Sequence, residues 1–176
     1  MRGWFILFLT VVLVFPSCQS TSSKEKGDEM IGEIIRIPEQ IGAFKGGKLS
    51  VPVIQDTLTK YGGALLYYCG KEERLASFEK KIPLWTDTWL KCFPDVPIIF
   101  LFASEHKRMS LIKCSELNPG ALFVFDFNDR FLRLNSFVPD QSSLRVFALD
   151  SQGQIVLCGN LAENETLRNQ FKKIRE

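Results

Sequence analysis

Three short apolar runs limit what this chain can fold into more than any other feature of its sequence. They comprise residues 64–69, 96–103 and 121–127, and glycines or turn-forming residues stand close to their ends. Each run is too short for a buried helix and has the length of a strand that is covered on both faces. Residues 71–91 carry apolar side chains at steps of three and four, as on one face of a helix. Strands that alternate with helices predict an α/β domain built on a central sheet.

The last part of the chain predicts a hairpin and a closing helix. Residues 144–149 and 155–158 are apolar and flank a turn-forming segment at 150–154, which is the pattern of a β-hairpin. Asn164 stands where the N-cap of a helix is expected, because its side chain can accept a hydrogen bond from the first turn. The apolar face of this helix is predicted to contain Leu167, Phe171 and Ile174.

Shorter patterns predict a further strand, a further helix and a kink. Residues 31–37 are expected to form a strand, and residues 104–117 are expected to form a helix. Pro83 lies inside the first helical pattern and lacks a backbone donor, so it should kink that helix near Glu79. The inward face of the second helix is predicted to include Met109, Ile112 and Leu117.

The amino-terminal residues have the layout of a secretory signal. Arg2 precedes the almost wholly apolar run 4–15. A membrane-spanning helix needs about 20 apolar residues, so this run is too short to cross a bilayer. The Phe-Pro-Ser-Cys sequence that ends at Cys18 resembles the lipobox of bacterial lipoproteins, in which cleavage before the cysteine precedes its acylation. The resemblance implies that residues 1–17 are a signal peptide and that Cys18 carries palmitate and the other acyl chains.

Residues 18–29 predict a flexible tether between that anchor and the folded domain. They are rich in Ser, Lys and Glu and contain no aromatic residue, so they cannot bury enough apolar surface to fold. Gln19 resembles the residue found after the cysteine in lipoproteins sorted to the outer membrane. This implies a cell-envelope protein that faces the periplasm. Two other interpretations stay open here: cleavage after Ser20 to give a soluble secreted protein, and an uncleaved short anchor.

Charge and histidine content argue against two classes of function. The chain has 22 Lys and Arg residues against 20 Asp and Glu residues, and its net charge is +2. A nucleic-acid partner needs a basic face that neutralises phosphates, and this balance does not predict one. His106 is the single histidine, which excludes a metal site built on several histidines. Its charged neighbours favour a solvated surface position over a general base. The sequence predicts no metal and no cofactor.

Three stretches of the second half resemble thioredoxin-like bacterial lipoproteins. Residues 82–85 (IPLW) resemble the kinked end of the active-site helix of that group. Residues 126–135 resemble its third strand and short connecting helix, and residues 147–156 resemble its hairpin. The resemblance implies an α/β domain of thioredoxin-like fold, with a mixed central sheet flanked by helices. The implied boundaries are 30–176 for the domain, 30–60 for an N-terminal extension, and 60–176 for the resemblance itself.

The resemblance places the redox centre of that family at residues that cannot perform its chemistry. Redox-active members carry a Cys-x-x-Cys pair at the start of the active-site helix, at a fixed distance before its proline, and a cis-proline before the hairpin. Counting back from Pro83 puts the pair at Leu75 and Phe78, and the cis-proline position falls on Leu144. A cis bond before a residue other than proline costs about 2.5–4 kcal/mol, so Leu144 is expected to be trans.

Four cysteines remain beyond the lipidation site, and they are spread along the chain at Cys69, Cys92, Cys114 and Cys158. These separations match no zinc site, which needs closely spaced pairs. Outside the cytoplasm four cysteines permit three disulfide pairings, and buried free thiols are the other interpretation. Cys69 ends the first apolar run, at the sheet edge where thioredoxins place their chemistry. It is therefore either a small core residue or a lone reactive thiol.

These observations predict a lipid-anchored cell-envelope protein whose redox-degenerate thioredoxin-like domain serves as a binding or accessory module. The implied partners are the membrane, through the anchor, and a protein that the sequence does not identify. The sequence argues against an enzyme, because Leu75 and Phe78, at the two positions of the dithiol, carry no sulfur. Two alternatives stay open: a thiol–disulfide oxidoreductase or related redox protein that uses Cys69, and a structural lipoprotein of the envelope.

Overall fold

In the computed structural model, the described residues form a seven-stranded sheet with helices on both of its faces. It describes residues 26–38, 41–50, 54–71, 73, 75–103, 108–139 and 144–176. The predictions made for residues 1–17, for Cys18 and for His106 concern residues outside this description.

The sheet combines parallel and antiparallel strands. Its strands are β1 (Ile41–Lys45), β2 (Lys48–Ser50), β3 (Gly63–Cys69), β4 (Ile98–Phe102), β5 (Ala121–Asp126), β6 (Val146–Asp150) and β7 (Ile155–Cys158). Their order across the sheet is β2-β1-β5-β4-β3-β6-β7. Strands β3, β4 and β5 run parallel, whereas β6 is antiparallel to β3, and β1 is antiparallel to β5. The prediction of a mixed central sheet is therefore confirmed.

The described helices cover both faces of this sheet. Besides a helical turn at 26–29, they are α1 (Ile54–Tyr61), α2 (Leu75–Glu79), α3 (Ile82–Cys92), α4 (Arg108–Leu117), α5 (Arg130–Leu134) and α6 (Glu165–Arg175). Buried side chains of α2, α3, α4 and α6 belong to one hydrophobic cluster. Those of α1 and α5 belong to a second cluster, on the other face.

The three central strands are the three apolar runs of the sequence. Every residue of β3, β4 and β5 is buried. Successive side chains of a strand point to opposite faces, so a strand between two helical layers needs apolar residues at every position. The alternation along β3 assigns Leu65, Tyr67 and Cys69 to the first cluster and Ala64, Leu66 and Tyr68 to the second.

The strand predicted at 31–37 is wrong. Within that segment one isolated β-bridge is formed, between Ile34 and Gln154. Ile31 and Ile35 would share one face of a strand, yet Ile31 is 45% exposed and Ile35 is buried. The segment instead lies along the outer edge of β7, where the Gly32 N–H donates to the Ile155 carbonyl at 2.8 Å.

The first helical pattern forms two helices rather than one kinked helix. Helix α2 ends at Glu79 and α3 begins at Ile82, so the break lies where the kink was predicted. Pro83 stands in the first turn of α3, where a backbone N–H has no partner inside the helix. Proline in this position suits the start of a helix.

The hairpin and the closing helix are confirmed, with two corrections to the predicted core. Strands β6 and β7 pair around the predicted turn, and the Asn164 side chain accepts a hydrogen bond from the Leu167 N–H at 3.2 Å. Phe171 is buried. Leu117 and Ile174, however, are 72% and 51% exposed, so their assignment to the core is wrong. Both lie in the last turn of a helix, where none of the described elements covers them.

Candidate functional site

The positions that the resemblance assigns to a redox centre lie at one end of the sheet. Cys69 is the last residue of β3, and Leu75 is the first residue of α2. In the pairing of β3 with β6, Tyr67 stands opposite Val146, which brings Leu144 to the same end. Cys69, Leu75 and Leu144 therefore lie at the end of the sheet where β3 terminates.

Phe78, which the resemblance assigns to the second cysteine of the redox pair, is a core residue. It is 4% exposed, and its ring stacks on Tyr67 with ring centroids 4.7 Å apart. The ring also meets Trp85, Phe100 and Phe102 edge to face, at centroid distances of 6.2, 5.5 and 5.7 Å. A reactive sulfur must reach solvent and a substrate, whereas this position serves aromatic packing.

Cys69, the last residue of β3, is completely buried, with 0% of its surface exposed. Its carbonyl accepts a hydrogen bond from the Ala103 N–H at 3.0 Å, which fixes the end of β3 against β4. No disulfide joins the four cysteines that the structure describes. Cys114 is buried, Cys158 is half-buried and Cys92 is exposed.

A polar contact occupies the loop between β3 and α2. The Tyr67 hydroxyl donates a hydrogen bond to Oε1 of Glu73. The other carboxylate oxygen, Oε2, is buried and has no hydrogen-bond partner among the residues that the structure describes. Burial, together with the neighbouring carboxylate, raises the pKa of Tyr67, so the phenol stays a neutral donor. The contact ties this loop to the central strand beneath it.

Arg145 is a buried cation that the sequence analysis missed. It follows Leu144, is 1% exposed, and donates from Nε to the Pro139 carbonyl at 2.9 Å. Its guanidinium carbon lies 5.5 Å from the centre of the Tyr68 ring, which is a cation–π contact. The available signal was a single charge inside the apolar run 144–149, which is expensive to bury unless it is paired.

The loop after β3 is also linked to the connection after β5. Lys71 forms a salt bridge with Asp129 at 3.0 Å. Asp126, at the end of β5, is completely buried, and its Oδ2 accepts a hydrogen bond from the Phe131 N–H at 2.8 Å. This carboxylate organises the start of α5 rather than facing a substrate.

The thiols of Cys114 and Cys158 are poor nucleophiles at neutral pH. Burial, with a smaller effect of the Asp28 carboxylate, raises the pKa of Cys158 to about 12, and its Sγ donates to the Leu144 carbonyl at 3.4 Å. Burial, with Glu79 nearby, raises the pKa of Cys114 to about 11. The thiolate is the reactive form of cysteine, so both thiols stay almost fully protonated in physiological conditions.

A groove of about 440 Å³ opens beside this end of the sheet. Leu144, Cys158 and residues 27–28 contribute to its walls, together with the first turns of α6. The expectation that Leu144 is trans concerns its bond to residue 143, which lies outside the described residues.

Within the described part of the chain, no group of three or more His, Cys, Asp or Glu side chains is placed to hold a metal ion. The helices described by the structure include none with the length and apolar character needed to cross a membrane.

No family model matches the chain, and no curated protein matches it. Solved structures do. The thioredoxin domain of a thiol-disulfide oxidoreductase from Bacteroides vulgatus aligns over 83% of this chain and 98% of its own, with a TM-score of 0.58 and 16% identity. A thiol:disulfide interchange protein from Bacteroides sp. aligns over 81% of this chain and 88% of its own, with a TM-score of 0.52 and 15% identity.

A third similar structure is the reduced 2-Cys peroxiredoxin of Plasmodium vivax. It aligns over 83% of this chain and 96% of its own, with a TM-score of 0.55 and 16% identity. Such low identities establish the fold and not the activity. The predicted α/β, thioredoxin-like fold is confirmed.

Proposed function

We propose that this protein is a lipid-anchored protein of the cell envelope whose thioredoxin-like domain binds a partner and does not exchange disulfides. The observation that carries this proposal is Phe78. At the position of the second cysteine of the family, its ring is buried against Tyr67, Trp85, Phe100 and Phe102. The protein thus combines a fold that redox enzymes use with a buried aromatic side chain at the position that the resemblance assigns to a reactive cysteine of those enzymes.

The environments of the four described cysteine thiols support the same proposal. Thiol–disulfide exchange begins with a solvent-accessible thiolate that attacks a disulfide sulfur. Cys69 has no exposed surface, and the pKa values of Cys114 and Cys158 are raised to about 11 and about 12. The exposed thiol, Cys92, is the last residue of α3, close to the C-terminal residues of α6 and not at the loop after β3.

An insulin-reduction assay tests the proposal directly. Wild-type protein and a Cys69→Ser variant are compared with an active thioredoxin, each with dithiothreitol as the reductant. We expect the wild-type rate to equal the rate of dithiothreitol alone. Turnover by the wild-type protein that disappears in Cys69→Ser would overturn the proposal in favour of a redox protein that uses Cys69.

The anchor part of the proposal rests on the short apolar run at 4–15 and on the lipobox-like sequence that ends at Cys18. Metabolic labelling with a palmitate analogue, followed by membrane fractionation, tests it. Labelling and membrane retention should be lost in Cys18→Ala and kept in Cys92→Ala, the matched cysteine control. A Cys18→Ala protein that stays as firmly in the membrane fraction would contradict lipid anchoring at this residue. Separation of inner and outer membranes tests the proposed periplasmic face of the outer membrane.

A thiol–disulfide oxidoreductase remains the second candidate, because the similar structures include thiol–disulfide oxidoreductases. The insulin assay separates it from the binding module. A purely structural envelope lipoprotein is the third candidate, and it predicts that cross-linking in cells captures no specific partner at the end of the sheet where β3 terminates.

A further inference from the structure

Strand β7 ends the order of the described sheet, and its sequence carries none of the usual protection of a sheet edge. Edge strands avoid pairing with other chains through charged side chains, proline or very short length. Residues 151–160 (SQGQIVLCGN) contain no charged residue and no proline. Short apolar segments of this composition readily add to a strand of another chain. The protection of this edge must therefore come from another part of the fold.

The opposite edge of the described sheet differs in both respects. Strand β2 has three residues, and it begins with the exposed Lys48. A strand that is short and carries a lysine is a poor template for pairing. The two edges of the sheet are thus protected in different ways.

Residues 32–36 cover the outer edge of β7, and we refer to them as the edge cover. The Ile155 N–H donates to the Glu33 carbonyl at 2.8 Å, and the Ile35 N–H donates to the Gly153 carbonyl at 2.9 Å. These bonds add to the one between the first residue of the cover and the Ile155 carbonyl. Both backbone groups of Ile155 are therefore paired by the edge cover.

The edge cover does not itself offer a long free edge. The Arg36 N–H donates to Oδ1 of Asn135 at 2.7 Å, and the Arg36 carbonyl accepts from Nδ2 of the same side chain at 2.9 Å. The side-chain amide of Gln154 donates to the Gly32 carbonyl at 2.8 Å. Glu33 and Arg36 are also charged and exposed. Side-chain amides and charges thus stand where a further strand would otherwise pair.

We propose that the edge cover prevents β7 from pairing with the β7 strand of a second copy of this chain. Without the cover, the backbone groups of Ile155 would meet those of another β7 in an antiparallel pair. Such a pair has two-fold symmetry, so two copies of one uncharged strand need no further complementarity. Displacement of the cover would also expose Ile35, which is only 5% exposed in the closed structure. This role is independent of the partner-binding role proposed above.

The variant Ile35→Pro tests the proposal, because proline removes both the N–H that bonds Gly153 and the buried aliphatic side chain. Native mass spectrometry of the mature chain, in an excess of detergent micelles and over a series of protein concentrations, measures dimerisation. We expect Ile35→Pro to dimerise at least about tenfold more tightly than the wild-type protein. Asn135→Ala releases Arg36 at the end of the cover and should tighten dimerisation by about threefold.

The variant Phe78→Ala controls for a general loss of stability. Phe78 belongs to the first hydrophobic cluster, whereas Ile35 belongs to the second, on the other face of the sheet. Phe78→Ala should therefore leave the dimerisation constant unchanged. Circular dichroism establishes that each variant is folded, and Asn135→Ala decides the comparison if Ile35→Pro does not fold.

A pair of charge variants locates the contact between the two copies. Gln154 is exposed beside the outer edge of β7, and Gln170 is exposed on α6. In the Ile35→Pro protein, Gln154→Lys should weaken the dimer by at least about tenfold, because it places like charges close together across the two-fold axis. Gln170→Lys, the same change at a distance from β7, should leave the dimer unchanged.

A dimerisation constant that is the same in the wild-type, Ile35→Pro and Asn135→Ala proteins would overturn the proposal. Equal tightening by Phe78→Ala would also overturn it, since any loss of stability would then be sufficient. The same holds if Gln154→Lys weakens the dimer no more than Gln170→Lys, because the contact would not involve β7. None of these results changes the outcome of the insulin assay, which tests the proposed function separately.

Discussion

Replacement of Phe78 by alanine tests whether the position that the resemblance assigns to the second family cysteine is part of the core. The side chain is 4% exposed and has four aromatic neighbours: Tyr67, Trp85, Phe100 and Phe102. The substitution removes the ring and leaves its neighbours around an empty volume. We expect a large loss of stability and no change in the thiol chemistry of the protein.

The size of the loss follows from the buried area. An aromatic side chain buries about 150–250 Å², and each square ångström contributes about 25 cal/mol, which gives an upper bound of about 4–6 kcal/mol. Measured Phe→Ala changes in protein cores cost about 3–5 kcal/mol. We therefore predict that Phe78→Ala lowers the free energy of unfolding by about 3–5 kcal/mol, a large part of the stability of an ordinary domain.

Urea unfolding followed by tryptophan fluorescence measures this loss. Leu84→Ala is the matched control, because Leu84 is also apolar and lies close by in the first turn of α3, but it is 62% exposed. The control should change the free energy of unfolding by less than about 1 kcal/mol. A Phe78→Ala protein that loses no more stability than Leu84→Ala would refute the reasoning, since it would show that Phe78 is not packed as described.

Three further predictions concern other parts of the domain. Asn135→Ala should cost about 2–4 kcal/mol, because this buried amide exchanges two hydrogen bonds with the Arg36 backbone, and hydrogen exchange at Arg36 should accelerate. Asn164→Ala should remove the N-cap of α6 and cost about 1 kcal/mol, measured by urea unfolding, with no effect if the cap is absent. Cys158 keeps its proton in the folded state up to a pKa of about 12, whereas an unfolded thiol ionises near about 8.5. Its contribution to stability should therefore be present below about pH 8.5 and decline as the pH rises towards about 12, and this pH dependence should be weaker in Cys158→Ala.

The buried strands were predictable from the sequence because their burial constrains every position. Strands β3, β4 and β5 lie between two helical layers, so their residues must be apolar throughout, and such runs are visible without knowledge of the partners. The segment at 31–37 was not predictable in this way. It forms one isolated bridge, at Ile34, and a few backbone hydrogen bonds to the edge of β7, and its apolar composition resembles that of a strand although it forms none.

Counting back from Pro83 assigned the redox positions to Leu75 and Phe78, and that assignment stays a prediction. No signal in the sequence predicted the contacts that the structure shows around them. The contact of Tyr67 with Glu73, however, depends on how the loop after β3 folds back on that strand. The groove beside Leu144 is lined by residues 27, 28 and 31 together with residues of β7 and α6, which are distant in the sequence. Tertiary contacts of this kind leave no periodic signal.

The central claim is that the thiol at the end of β3 belongs to the core and takes no part in redox chemistry. Alkylation of the native protein with iodoacetamide, followed by mass spectrometry of each cysteine, tests this claim most directly. Cys92 is exposed and serves as the internal control. The account predicts rapid labelling of Cys92 and labelling of Cys69 only after denaturation. Labelling of Cys69 in the native protein at a rate comparable to that of Cys92 would contradict it.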